Sequence, residues 1–206
     1  MSSAVNERQA GGWFPIRAFT TLDLVLIAVL GVVFGILNTP FGILFQFLQT
    51  TFGPIGQALF APWAIGMVLT AAIVRKPGAA LLGGIINGLF QLLSGNPAGV
   101  VNIAYGVALG LGVEIGAALF FSLTRSKSWF PMGAAILAGG IACGFSYVVS
   151  AVVYNYASAG VTALIASWIG QAVAGAIESG LVAYLLAEGL RRSGLLKSFT
   201  PREARA

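Results

Sequence analysis

The sequence predicts an all-α membrane protein with six transmembrane helices and both termini on the cytoplasmic side. Three observations carry this. The chain has 206 residues, 58% hydrophobic and only 8% charged, whereas soluble domains carry roughly 25% charged residues. Its apolar runs are continuous rather than alternating, which argues against a β-barrel. With six helices, all eleven lysines and arginines fall on one side of the membrane.

The elements follow in order. Residues 1–20 read as a polar cytoplasmic tail, with Trp13 and Arg17 as interfacial anchors. No A-x-A-like cleavage site flanks the first apolar run, so that run is read as retained. Asp23 marks a helix start. The next charge is Arg75, 51 uncharged residues later, too long a gap for one span of about 20 residues. It divides at Asn38-Thr39-Pro40 and at Phe52-Gly53-Pro54. The first helix is then 22–38 and the second 55–74. The short apolar stretch 41–53 between them suits a re-entrant segment or a gate-like loop.

Arg75-Lys76-Pro77 opens the third helix, 78–93, and Ser94-Gly95-Asn96-Pro97 closes it. The fourth helix is 99–124, the fifth 131–155 and the sixth 161–190. A basic cytoplasmic tail, 191–206, follows the transmembrane domain 21–190. The loops near 38–54, 94–98 and 155–161 hold no lysine or arginine, so the positive-inside rule puts both termini in the cytoplasm. The net charge of +5 therefore reports topology rather than nucleic-acid binding.

Absences narrow the chemistry. There is no histidine and a single cysteine, Cys143, so His-based metal sites and bases and an intrachain disulfide are excluded. No G-x-x-x-x-G-K-[ST] loop occurs, no acidic cluster suits Mg²⁺, and no Ser/His or Cys/His pair suits nucleophilic catalysis. The chain is predicted to be no enzyme and to hold no cofactor of its own.

Binding candidates are the polar and aromatic residues inside apolar helices. Asn87 and Gln91 share a face at i, i+4. Glu114 and Glu178 lie 11 and 13 residues from the basic end of their helices, roughly 16–20 Å deep. An ionised carboxylate there must be paired or hydrated. Each glutamate is either a grip for a cationic or polar ligand or a hydrogen-bonded packing group. Ser167, Gln171 and Glu178 fall on roughly one face, as do Tyr147, Ser150 and Tyr154. Trp63 and Trp168 are large rings among small residues. Aromatics with a few polar groups suit a flat heterocycle, although packing or an interface belt is the plainer reading of any one ring. Tyr105 and Glu114 point nearly opposite ways around one helix. Gly31 and Gly35 form a G-x-x-x-G, and Gly106, Gly110 and Gly112 stud the fourth helix, which permits close helix approach.

RKPGAAL (75–81), GNPAG (95–99) and GLGVE (110–114), preceded by FGPI and Trp63, resemble the YkoE family across residues 20–190. These are substrate-binding S components of energy-coupling factor (ECF) vitamin transporters in the bacterial plasma membrane. The resemblance implies the S-component bundle, and a ligand that is thiamine or its hydroxymethylpyrimidine precursor. The implied partners are a transmembrane coupling subunit and two cytoplasmic ATPases, which would use the ATP. Ala28, Gly31 and Gly35 would meet the coupling subunit. The expected pocket residues are Trp63, Asn87, Gln91, Glu114, Tyr147, Trp168, Gln171 and Glu178. Aromatics would stack on the ring, amides would read its edges, and a glutamate would face a cationic or amino group. The alternatives are an S component for another vitamin such as riboflavin, a membrane enzyme, or an assembly subunit without a ligand.

Overall fold

The structure is a computed structural model describing residues 18–126 and 129–194. The proposed anchors Trp13 and Arg17, and the tail cations Lys197, Arg202 and Arg205, lie outside them. Eight α-helices occur among the described residues: α1 (Thr21–Phe52), α2 (Pro54–Gln57), α3 (Ile65–Val74), α4 (Ala79–Leu93), α5 (Val101–Thr124), α6 (Met132–Val153), α7 (Val161–Ala174) and α8 (Val182–Arg192). A π-helical segment, Gly175–Leu181, joins α7 to α8, so Val161–Arg192 forms one long rod. That rod, α1, α5 and α6 are each long and apolar enough to cross a membrane, while Pro62–Val74 and Ala79–Leu93 are shorter apolar helices.

Leu22, Val25, Val29, Val33 and Ile36 all stand about half exposed on α1, a surface suited to lipid rather than water. By contrast, α3 is buried from Gly66 to Val74 without interruption. It is apolar all round and sits at the centre of the bundle. The α4–α5 crossing is tightest at Gly84 and Gly106, where a Cβ on either residue would strike the other's carbonyl oxygen.

The expected helix break at Pro40 does not occur: α1 runs through it to Phe52. Pro40 has no N–H, so it leaves the carbonyl four residues back without its usual donor. Neighbouring polar groups steady the backbone there. The Thr39 hydroxyl bonds back to the Gly35 carbonyl at 3.4 Å and touches the Ser94 hydroxyl. Asn96 donates to the Asn38 carbonyl at 3.4 Å. Such support is how intramembrane prolines are accommodated. The stretch 41–53 is therefore helical as far as Phe52, not a separate re-entrant piece.

The second expected helix, 55–74, is interrupted. Ala61 precedes Pro62 and leaves the helical conformation, φ −142° and ψ 47°, because proline crowds the α conformation of the residue before it. Regular α-helix resumes only at Ile65.

Two polar features tie the charged end. Thr20 and Asp23 form a reciprocal capping box at the start of α1. Lys76, in the turn before α4, pairs with Asp23 at 2.6 Å and donates to the Ala18 carbonyl at 2.9 Å.

Candidate ligand-binding cavity

At the end of the bundle away from the Arg75–Lys76 turn, α4 finishes and the Asn96-Pro97-Ala98 turn leads into α5. A cavity forms there. Its walls are Gly42, Phe45 and Gln46 of α1, Trp63, Gln91 of α4, Asn96 to Ala98, Asn102, Tyr105 and Leu109 of α5, Ser146 and Ser150 of α6, and Tyr154 just past the end of α6. The lining combines aromatic rings, carboxamides and hydroxyls, and no charged side chain is in it.

The amides form a relay. Asn96 donates to Gln91 at 2.8 Å, and Gln91 donates to Asn87 at 2.7 Å. Asn38 donates to the Trp63 carbonyl at 3.4 Å, which holds the Pro62–Ala64 turn beside this relay. Trp63 meets Phe45 edge-on at 5.5 Å and Phe60 at 5.6 Å. Across the cavity, Tyr105 and Ser150 share a hydrogen bond of 2.9 Å.

The structure spreads the eight expected site residues over five places. Trp63 and Gln91 line the cavity, with Asn87 directly behind Gln91. Tyr147 and Gln171 lie in a buried polar cluster between α6 and α7, beside Ser167 and Tyr156. Trp168 is 45% exposed on the outside of the bundle. Its indole N–H is tied to the Gly144 carbonyl at 3.0 Å, so its ring is turned away from the cavity.

The two glutamates are elsewhere again, each at the start of an inner helix. Glu114 accepts from the Ala80 N–H at 2.8 Å and faces the amides of Gly78 and Leu81. Gly78 precedes α4 and offers no side-chain cap, so the orphan N–H groups of that helix turn to a carboxylate from α5. Glu178 accepts from the Ala61 N–H at 2.8 Å. Ser179 beside it accepts from the Ala64 N–H at 3.0 Å and donates to the Ala61 carbonyl at 2.6 Å. These bonds satisfy the break at Pro62. Neither glutamate faces the cavity, against the expectation of a carboxylate beside the ligand, because both are consumed by backbone N–H groups.

The coupling face also needs correction. Gly31 and Gly35 are buried inside this chain, and Ala28 is half-buried. A Cβ at Gly31 would come within 2.8 Å of Ile86, and one at Gly35 within 2.7 Å of Phe90. The small size of Gly31 and Gly35 lets α1 lie against α4, so both are taken up by packing within this chain.

Comparison with known proteins decides the family. The family described as "ABC-type cobalt transport system, permease component" matches residues 22–143. The HMP/thiamine permease protein YkoE of Bacillus subtilis (strain 168) is 30% identical over 182 residues, covering 88% of this chain and 89% of that protein. A crystal structure of an S component of an ECF transporter superposes with a TM-score of 0.79 at 29% identity, covering 89% of this chain and 91% of the other. The chain belongs to the YkoE family of ECF S components. As a member of that family it is a multi-pass transport protein of the bacterial plasma membrane.

Within this S component, sequence reasoning passed over several cavity residues. Asn96 stands inside the GNPAG motif quoted for the resemblance. Asn102 and Tyr105 share a face at i, i+3. Gln46 interrupts the apolar run 41–48. Each was visible as a residue, but nothing local says that α1, the 95–99 turn and the ends of α5 and α6 converge.

Proposed function

We propose that this S component binds hydroxymethylpyrimidine or thiamine in the cavity between α1, α4, α5 and α6, for ATP-driven uptake. The observation that carries the reading is the lining itself: rings, carboxamides and hydroxyls without a charge, in a relative of YkoE. A flat heterocycle of modest polarity matches those walls. The chain crosses the membrane six times with both termini cytoplasmic, which leaves the cavity at the outer end. It docks on a coupling subunit driven by two ATPases. A metal cargo finds no such support, since no three His, Cys, Asp or Glu side chains come together among the described residues.

Trp63 in the wall makes the test direct. Purified chain in detergent is titrated with hydroxymethylpyrimidine, thiamine and riboflavin while tryptophan emission is followed. Saturable quenching by the first two and not by riboflavin is the expected result. Trp63→Leu is expected to remove most of the signal and weaken binding about tenfold, since a ring stack is worth about 0.5–1.5 kcal/mol beyond its buried area. Saturation by riboflavin alone would change the vitamin, and silence with all three would sink the reading.

A further inference from the structure

The buried cluster behind the cavity has an unusual feature. Gln171 is 0% exposed, yet neither its carboxamide oxygen nor its nitrogen has a hydrogen-bond partner. One turn earlier on α7, the Ser167 hydroxyl also lacks one. The phenol of Tyr147 lies toward Ser167, but neither oxygen makes a bond of good geometry, and the Tyr156 phenol is likewise unmet. Buried polar groups are almost always paired, because leaving one unpaired is unfavourable. Here five such atoms gather in one place. Packing alone would be served better by leucine or methionine than by this glutamine.

The cluster adjoins the cavity. Tyr154, which lines the cavity, stacks on Tyr156 with centroids 5.9 Å apart and an interplanar angle of 21°. Tyr156 meets Tyr147 at 5.8 Å. Tyr147 also lies one turn from Ser150 on α6, and Ser150 lines the cavity. Tyr154, Tyr156 and Tyr147 thus form one run of contacts from the cavity wall to Ser167, one turn from Gln171 on α7, and a ligand that displaces these rings would reach Gln171.

We infer that Gln171 is the specificity residue for the ligand's 4-aminopyrimidine edge, which it reads with both atoms of its carboxamide. This rests on the function proposed above. A carboxamide sets a donor beside an acceptor. The aminopyrimidine edge sets a ring nitrogen, an acceptor, beside an amino group, a donor. The two fit bidentately, as Asn or Gln fits the corresponding edge of adenine. Tyr147 and Tyr156 supply the ring faces, and their hydroxyls with Ser167 meet the remaining polar atoms. The substituent on the far side of the pyrimidine then points back past Tyr154 toward Trp63 and Gln91. That substituent is a hydroxymethyl group in one ligand and the thiazolium in the other, so one pocket accepts both. The uncharged outer walls meet the thiazolium with aromatic faces.

The test uses the full chain in detergent and two probes, hydroxymethylpyrimidine and its 4-deamino analogue. The deamino compound keeps the ring nitrogen as an acceptor but has no donor beside it, so the carboxamide oxygen stays unpaired whichever way the side chain is turned. Wild-type chain is expected to favour the amino compound by roughly 10–100-fold. Gln171→Met should abolish that preference by weakening the amino compound far more than its analogue, while thermal stability holds or rises, because the substitution removes unpaired buried atoms. Equal binding of the two probes by wild type, or an unchanged ratio in Gln171→Met, overturns the inference and leaves the function standing. Should Gln171→Met fail to fold, Gln171→Glu decides: it exchanges the amide N–H₂ for a carboxyl oxygen and must shift the same ratio. If wild type binds neither probe nor thiamine, the function and the inference fall together.

Discussion

Gly106→Ala is expected to lower the melting temperature of the detergent-solubilised chain by several degrees, and Gly106→Leu to abolish folding. At this crossing the Cβ of residue 106 would run into the carbonyl oxygen of Gly84, and that of residue 84 into the carbonyl of Gly106. The obstacle is backbone in both directions, so no rotamer change relieves it. The helices must move apart as rigid bodies, and the contacts along the seam loosen together. Overpacking typically costs about 1–3 kcal/mol and occasionally more; roughly 3 kcal/mol corresponds to about 6–12 °C in a chain of this size. Gly189→Ala is the control, since a Cβ there meets nothing within 4 Å. It should be neutral or slightly stabilising. Tryptophan emission against temperature reads both variants. A Gly106→Ala chain that melts with wild type would refute the close-approach account. Because α4 carries Gln91 and α5 carries Asn102 and Tyr105, the same variant is also expected to weaken ligand binding.

Glu178→Leu is the second large effect. It removes the acceptor of the Ala61 N–H and leaves that donor unmet inside the bundle, at about 2–3 kcal/mol. Ser179→Ala breaks two bonds at once, to the Ala64 N–H and the Ala61 carbonyl, and should cost a similar amount. The two losses should not add, because both substitutions release the same turn. Glu178→Gln keeps a carbonyl acceptor and should lose about 1 kcal/mol or less. Melting curves and ligand titrations on the three variants separate two roles. A clamp loses stability in the order Leu over Gln, with little change in ligand affinity at temperatures where the chain stays folded. If Glu178→Gln kept its melting temperature and lost thiamine binding, the carboxylate would belong to the ligand after all.

These effects mark where the sequence was readable. The continuous runs were: the expected 78–93, 99–124 and 131–155 fall within two residues of the observed Ala79–Leu93, Val101–Thr124 and Met132–Val153. Hydropathy and turn residues act locally, and those helices obey local rules. Pro40 and Pro62 show the limit. Both are prolines in apolar runs, yet one is absorbed by α1 and the other breaks the backbone. What differs is the surroundings: Ser94 and Asn96 in the turn after α4 support the first, and Glu178 and Ser179 satisfy the second. Likewise, polarity in an apolar helix singled out Glu114 and Glu178 as needing partners. It could not name those partners, which are backbone groups 34 and 117 residues away. Gln91 and Trp63 do stand in the cavity wall; the first was singled out as an amide in an apolar helix and the second as a large ring among small residues. Trp168 carried the same character and faces outward, since a ring gives no hint of which way its helix is turned.

The clamp on Ala61 also bears on how the chain is made. The donor is in the first third of the polypeptide and its acceptor is 117 residues later. While the ribosome is still building α4, α5 and α6, the Pro62 turn has no Glu178 or Ser179 to hold it. The early segments enter the bilayer with that turn unsatisfied, and it closes only when the last rod arrives. A chain cut short before residue 178 therefore carries an open polar break in its innermost helix, which gives quality-control proteases a mark that the finished protein lacks.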